Sequence, residues 1–228
     1  MTVLHLADGR EAADLAAFLS RLLHYDRAAA VRLQASGTAL AVFGRPPSFE
    51  VLAIRSVRLA KPYEDGLEVT LDVTVSAGEL LESVDETAGT AAVPAAVTGP
   101  PWAGVLPPRG GWRAEPGLPA PDALRALVAA AVTEFRTRTE ALTAESRTRA
   151  ELDRIGREIW SRTVGRSDLP VRAVHAAQSL GFLRPLGPVD TDGEPVLLAS
   201  GAWLRLRTPY GSVALRRAGL GALGLSVR

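Results

Sequence analysis

The sequence predicts an α+β fold with antiparallel sheets, and three observations support that prediction. Apolar residues recur at helical spacing over residues 11–24. Apolar and polar residues alternate strictly over 67–75, as in a half-buried strand. Ser–Gly pairs at 36–37 and 200–201 each separate two short apolar runs, as in β-hairpins. We therefore expect two helix–hairpin–strand units, with a long helix after a Pro/Gly-rich ordered crossover.

The first unit is expected to contain a helix, a hairpin, two strands and a short helix. In chain order these are 11–24, 31–43, 49–59, 67–75 and 77–86. Ser76 is a candidate N-cap for the short helix, and Glu79 three residues later would complete a capping box.

The stretch GPPWAGVLPPRGGW, residues 99–112, combines turn-forming residues with two tryptophans. Its uncharged surroundings, 87–108, are long enough to span a membrane, but five prolines rule against a spanning helix. So many apolar side chains also disfavour a solvated tether. We expect an ordered crossover packed on the fold, and the alternative is a partner-docking surface formed by Trp102, Trp112 and Arg109.

A long helix is predicted over 122–163, with Asp122 as a candidate cap. Its two ends carry apolar stripes, whereas residues 136–151 are almost entirely polar. Acid–arginine pairs at i,i+4 favour helix across this middle. Two interpretations stay open: one continuous helix that bridges solvent, or two helices broken near Ser146.

A helix over 170–182 and strands over 196–199, 203–207 and 213–217 complete the chain. The hairpin VRLQASGTALAVF (31–43) aligns without a gap to PVLLASGAWLRLR (195–207), either by duplication or because both hairpins use the same turn chemistry. We divide the chain into 1–86, 87–121 and 122–228, and expect one compact domain overall.

Composition excludes several functions. The absence of cysteine excludes disulfides, thiolate nucleophiles and cysteine-bound zinc. The net charge is only +1, so no global field attracts polyanions. Residues 62–108 nevertheless carry eight acids and no base. This acidic face either pairs with basic parts of the fold or a dimer, or recruits its own partner.

No catalytic, cofactor or metal site is predicted. GLGALG (219–224) matches a phosphate-binding glycine pattern but lacks the helix and strand that must follow. The three histidines, His5, His24 and His175, lack metal-ligand spacing and are interpreted as structural or surface residues. The acids of 64–86 match no known carboxylate constellation and are interpreted as a solvated face.

The last strands offer a candidate nucleic-acid interface. Alternation places Trp203, Arg205 and Arg207 on one face, and Arg216 joins them from the next strand. An aromatic side chain among arginines on a sheet is typical of proteins that hold single-stranded nucleic acid.

The segments VRLQASGTALAVF, PPSFEVLAIR and WAGVLPPRGGW together resemble an uncharacterised group of proteins from high-GC bacteria, the actinobacteria. The resemblance implies no activity and transfers no functional residue.

The sequence is most consistent with a non-enzymatic interaction or regulatory protein that is homodimeric or binds a protein partner. We expect it to be cytoplasmic, without a signal peptide, a membrane span or a cofactor. One alternative is a nucleic-acid-binding protein that uses Trp203, Arg205, Arg207 and Arg216. A second is a small-ligand-binding protein or enzyme with a pocket near Trp102 and Trp112.

Overall fold

The computed structural model describes residues 2–102, 104–185 and 193–217, and it confirms the α+β class. Within these ranges there are five α-helices and eleven strands. The helices are α1 (Gly9–Tyr25), α2 (Ala77–Glu82), α3 (Pro121–Glu140), α4 (Arg149–Trp160) and α5 (Val171–Ser179). The strands are β1 (Val3–His5), β2 (Ala30–Ser36), β3 (Ala39–Gly44), β4 (Leu52–Arg58), β5 (Thr70–Ser76), β6 (Val84–Asp85), β7 (Thr90–Ala92), β8 (Arg113–Ala114), β9 (Val196–Ser200), β10 (Trp203–Thr208) and β11 (Gly211–Arg216).

One antiparallel sheet runs through both halves of the chain. Its strand order is β5-β2-β3-β4-β11-β10-β9-β8, and a second small sheet has the order β1-β7-β6. The two halves meet where β4 pairs with β11, with Ala53 opposite Val213. The sheet is therefore continuous from the first hairpin to the last.

The two hairpins share their turn geometry. Ser36 pairs with Ala39, Ser200 pairs with Trp203, and the glycine after each serine has a positive φ (56° at Gly37 and 54° at Gly201). Glycine adopts this left-handed conformation without the steric cost that a Cβ brings. The connections to the third strand differ, because 45–51 separate β3 from β4 whereas β10 and β11 are joined by a tight turn. A duplication therefore stays a prediction.

The main hydrophobic core lies between the helices and one face of the large sheet. Phe18 and Leu22 of α1, Val174 of α5, Val42 of β3 and Leu204 of β10 belong to the same buried cluster. Burial of apolar side chains on one face of each strand follows from the two-residue alternation of the sequence.

Two predicted boundaries are wrong by a few residues. The strand expected over 67–75 begins at Thr70, because the backbones of Asp65 and Glu68 bond to each other in a turn and leave Leu67 and Val69 exposed. The N-cap position of α3 is Ala120 rather than Asp122, and it makes no side-chain capping bond, since the helix already begins at Pro121. Asp122 lies in that turn and bonds to Arg125.

Of the two interpretations of 122–163, the structure has the one with two helices, and the continuous helix is wrong. Helix α3 ends at Glu140, and α4 begins at Arg149 behind the N-cap Thr148, so the break does lie near Ser146. Residues 141–148 form the turn between the two helices, whereas the rest of the polar middle belongs to the end of α3 and the start of α4.

Charged residues that flank this turn join α3 to α4. The guanidinium of Arg138 donates to Glu158 at 2.7 and 2.8 Å, and that of Arg162 donates to Glu134 at 2.6 and 2.8 Å. Hydrogen bonds from Arg138 hold the pKa of the Glu158 carboxyl down, at about 2. The i,i+4 pairs Glu134–Arg138 and Glu158–Arg162 also form, both at 3.3 Å.

The opposite face of the sheet is covered in part by the 99–112 segment. Trp102 is 7% exposed and packs with Phe43, Ile54 and Ala214, and its indole N–H donates to Thr74 Oγ1 at 3.0 Å. The segment is thus packed against the sheet at Trp102. No helix in the described ranges has the length and apolar character needed to cross a bilayer.

Candidate functional site

An aromatic cavity of about 910 Å³ lies where α1 ends, beside a 3-10 turn at Pro47–Phe49 and against α3, α4 and α5. Five ring-bearing side chains line it: Tyr25, Phe49, Phe135, Trp160 and His175. Its volume lies in the range of cavities that hold small organic ligands.

The rings form a continuous chain of contacts. His175 stacks on Trp160 with 4.7 Å between ring centroids and meets the edge of Phe49 at 5.1 Å. Phe49 in turn meets Tyr25 at 5.0 Å, and Trp160 lies 5.9 Å from Phe135. Such offset and edge-on pairs hold each ring in one orientation, so the wall is preorganised.

The wall also carries polar ring atoms. The hydrogen bonds found among the described residues include neither the Tyr25 hydroxyl, nor the Trp160 indole N–H, nor the His175 nitrogens. Burial lowers the pKa of the His175 imidazole below its ordinary value, which favours the neutral ring with one donor and one acceptor. The cavity therefore offers hydrogen-bonding groups to a ligand.

Gly156 lies in the middle of α4 and lines the same cavity. A Cβ at this position would lie 3.5 Å from a ring carbon of Trp160 and 3.6 Å from one of Phe135, both ordinary contacts. Glycine is unfavourable inside a helix by roughly 0.5–1 kcal/mol relative to alanine. Close packing does not demand this glycine, and its effect is to keep the cavity open over the two rings.

A second cavity of about 740 Å³ adjoins the first and is called here the arginine groove. Three arginines line it, Arg45, Arg172 and Arg216, together with Trp203 and two acids, Asp26 and Glu50. The two cavities have Pro47, Glu50 and Arg172 in common. These three shared residues, called here the junction, separate the aromatic cavity from the arginine groove.

The junction has two unusual features. The Nε atom of Arg172 is buried and has no hydrogen-bond partner among the described residues, and its nearest carboxylate oxygen, on Glu50, is 3.7 Å away. Glu50 has φ 54° and ψ 40°, the one non-glycine residue with positive φ in the described ranges. Backbone strain of this kind concentrates at functional sites.

Two of the four residues predicted to bind nucleic acid are exposed at the sheet face, and the other two are half-buried. Arg207 and Arg216 are exposed and Trp203 is half-buried. Arg216 lies over the Trp203 ring at 5.1 Å and donates to the Gly104 carbonyl at 3.0 Å. Trp203 and Arg216 line the arginine groove, and Arg207 does not.

Arg205, the fourth, is half-buried on the same face. Its guanidinium donates to Ser212 Oγ at 2.9 Å and lies 5.9 Å from the ring centre of Trp112. Desolvation, with a smaller effect of Arg207, lowers the pKa of Arg205. The nucleic-acid role of the four residues stays a prediction.

The predicted interaction residues are spread over the 99–112 segment. Trp102 is buried, Trp112 is half-buried with its indole N–H donated to the Pro108 carbonyl at 3.0 Å, and Arg109 is exposed. Neither tryptophan lines the aromatic cavity or the arginine groove. The groove does contact the segment at Gly99 and Val105.

Sequence reasoning missed the aromatic cavity. In the sequence, Phe135 and Trp160 belong to the apolar stripes at the two ends of 122–163, and His175 is interpreted as a structural or surface residue. Gly156, inside an amphipathic helix, was the available signal. No cluster of metal-ligating side chains occurs within the described ranges, and GLGALG lies outside them.

Fold and cavities together define an α+β protein with a continuous antiparallel sheet and a preformed aromatic cavity on its helical side. Residues 107–220, half of the chain, match the model of a domain of unknown function (DUF8185), and the chain belongs to that family. Residues 1–104 match a second domain of unknown function (DUF8010). No curated protein and no solved structure shows significant similarity to the chain.

Proposed function

We propose that this protein is a non-enzymatic binding protein that holds a small ligand with a planar aromatic ring in the aromatic cavity. The observation that carries the proposal is a preformed wall of five rings around about 910 Å³, with hydrogen-bonding ring atoms that the described residues leave unused.

The chemistry of the wall determines the kind of ligand. A ring stacked on Trp160 or Phe135 gains roughly 0.5–1.5 kcal/mol beyond its area burial. The Tyr25 hydroxyl and the neutral His175 ring supply both donors and acceptors, which orient a polar substituent. These groups suit recognition, and we assign no catalytic residue.

The test is titration with N-phenyl-1-naphthylamine, an uncharged aromatic probe whose fluorescence rises in apolar surroundings. The wild-type protein should bind it saturably. Gly156→Leu places a side chain over Trp160 and Phe135 and should weaken binding by about tenfold or more. Gly78→Leu, at a half-buried glycine of α2, is the matched control and should bind like wild type. Equal binding by wild type and Gly156→Leu contradicts the proposal.

Cytoplasmic location, actinobacterial origin and a homodimer or protein partner remain predictions that accompany the proposal. Arg138 pairs with Glu158 and Glu134 pairs with Arg162 within one chain, so these charges need no second copy of the protein. Light scattering decides the point, since a mass near 24.0 kDa contradicts the homodimer.

A further inference from the structure

We infer that the arginine groove is the subsite for an anionic group of the same ligand, with Arg172 as its principal contact. The inference rests on the proposed function and deepens it. It makes the ligand a planar aromatic ring that carries a carboxylate, sulfonate or phosphate group.

The balance of charge in the groove favours an anion. Three arginines face two acids there, and Arg216 uses a hydrogen bond on the Gly104 carbonyl rather than on a carboxylate. Arg45 is exposed at the rim. An anion in the groove would be attracted by all three guanidinium groups, which are the side chains best suited to carboxylate and phosphate geometry.

Arg172 connects the groove to the aromatic cavity. Its side chain is 23% exposed and lines both spaces, so a group bonded to it can continue into a ring on the aromatic side. Its buried Nε lacks a hydrogen-bond partner among the described residues, and a buried donor left unpaired destabilises the structure. An anion at this atom would supply the missing acceptor.

The carboxylate of Glu50 lies near Arg172 Nε but too far away to form a hydrogen bond with it. Its carboxylate is 78% exposed and stays 3.7 Å from Arg172 Nε, beyond the usual length of a hydrogen bond. Its left-handed backbone is a conformation that non-glycine residues seldom adopt. A ligand anion that displaces Glu50 would exchange a long contact for a charge-assisted hydrogen bond.

The experiment compares two probes that differ in one group. N-phenyl-1-naphthylamine is uncharged, and 8-anilino-1-naphthalenesulfonate has the same ring system with a sulfonate. The wild-type protein should bind the sulfonate about tenfold more tightly, as expected for one hydrogen bond to a charged group. This tenfold preference for the sulfonate over the uncharged probe should become smaller as the salt concentration is raised.

Two variants test whether the preference for the sulfonate arises at Arg172 and Glu50. Arg172→Gln should remove most of the tenfold preference, taken as the ratio of the two affinities within the same variant, so that any change in the shared aromatic cavity affects both probes alike. Glu50→Gln removes the competing carboxylate and should raise the same ratio in favour of the sulfonate by roughly threefold to tenfold. Arg207→Gln, at an exposed arginine outside both cavities, is the matched control and should change neither affinity.

Failure of the inference differs from failure of the proposed function. Equal affinities for the two probes in the wild type, or a sulfonate preference unaffected by Glu50→Gln, overturns the anion subsite and leaves the aromatic cavity in place. Absence of binding by the uncharged probe, or binding unaffected by Gly156→Leu, overturns both. Because Glu50→Gln changes an exposed side chain, it keeps the test decisive even if Arg172→Gln does not fold.

Discussion

Replacing Gly156 by alanine should make the protein more stable while making its aromatic cavity smaller. Alanine is favoured over glycine inside a helix by up to about 1 kcal/mol. The added methyl group would contact Trp160 and Phe135 at 3.5 and 3.6 Å, and burial of one such group contributes about 0.8 kcal/mol. We expect the free energy of unfolding to rise by about 1–2 kcal/mol.

Thermal and urea unfolding measure this change. For a chain of this size, 1 kcal/mol corresponds to roughly 2–4 °C in Tm, so Gly156→Ala should melt about 2–8 °C above wild type. Gly78→Ala is the matched control in α2, where the nearest atom to a Cβ is Ser76 Oγ at 3.7 Å. Gly78→Ala gains the higher helix propensity of alanine but buries no methyl group against rings. Its unfolding free energy should therefore rise by about half as much as that of Gly156→Ala.

The same variant should bind N-phenyl-1-naphthylamine less tightly than wild type, since the methyl group takes space over the two rings. Stability gained together with binding lost is the pattern of a residue retained for function. Destabilisation by Gly156→Ala would refute the reasoning, because it would show that packing, and not an open cavity, requires the glycine.

Two further predictions concern buried charge. Arg55 is 5% exposed and donates to the Tyr210 carbonyl at 2.7 Å and to Glu11 at 3.0 Å, so Arg55→Met should cost about 3–5 kcal/mol in urea unfolding. Arg58→Met, at a side chain that is 73% exposed, should cost at most about 1 kcal/mol, and equal effects would contradict the argument. Burial lowers the folded-state pKa of His175 below 6.5, so the unfolded chain binds the proton more readily and stability should decline as pH falls below about 6.5. His175→Gln should flatten this part of the pH–stability curve, and an unchanged slope would contradict the assignment.

Elements whose signals are local could be predicted from the sequence. The hairpin at 36–37 is indicated by its turn residues and by the alternation of apolar and polar residues within a dozen positions. Helix α1 is indicated by apolar residues that recur at helical spacing. The break between α3 and α4 could not be decided in the same way. Glu134 and Arg138 lie at i,i+4, a spacing that supports one long helix, yet Arg138 also pairs with Glu158 of α4 and Glu134 with Arg162 just beyond it.

The candidate site could not be predicted because no stretch of sequence contains it. Tyr25 ends α1, Phe49 lies in a short turn before β4, and Trp160 ends α4. Each local pattern indicates only an apolar position, and proximity arises from tertiary packing. Alternation did identify the shared face of Trp203 and Arg205, but how far the 99–112 segment covers that face depends on packing as well.

Both matched regions of the chain contribute residues to the aromatic cavity. Tyr25 and Phe49 belong to the first region, whereas Phe135, Trp160 and His175 belong to the second. The walls meet only because β4 pairs with β11 and brings α1 and α5 onto the same side of one sheet. A ligand that binds this native arrangement and not the unfolded chain stabilises it by mass action, in proportion to the logarithm of its concentration over Kd. Binding at the aromatic cavity would therefore strengthen the association of the two regions, which is the physical basis on which a small ligand could control a surface formed by both.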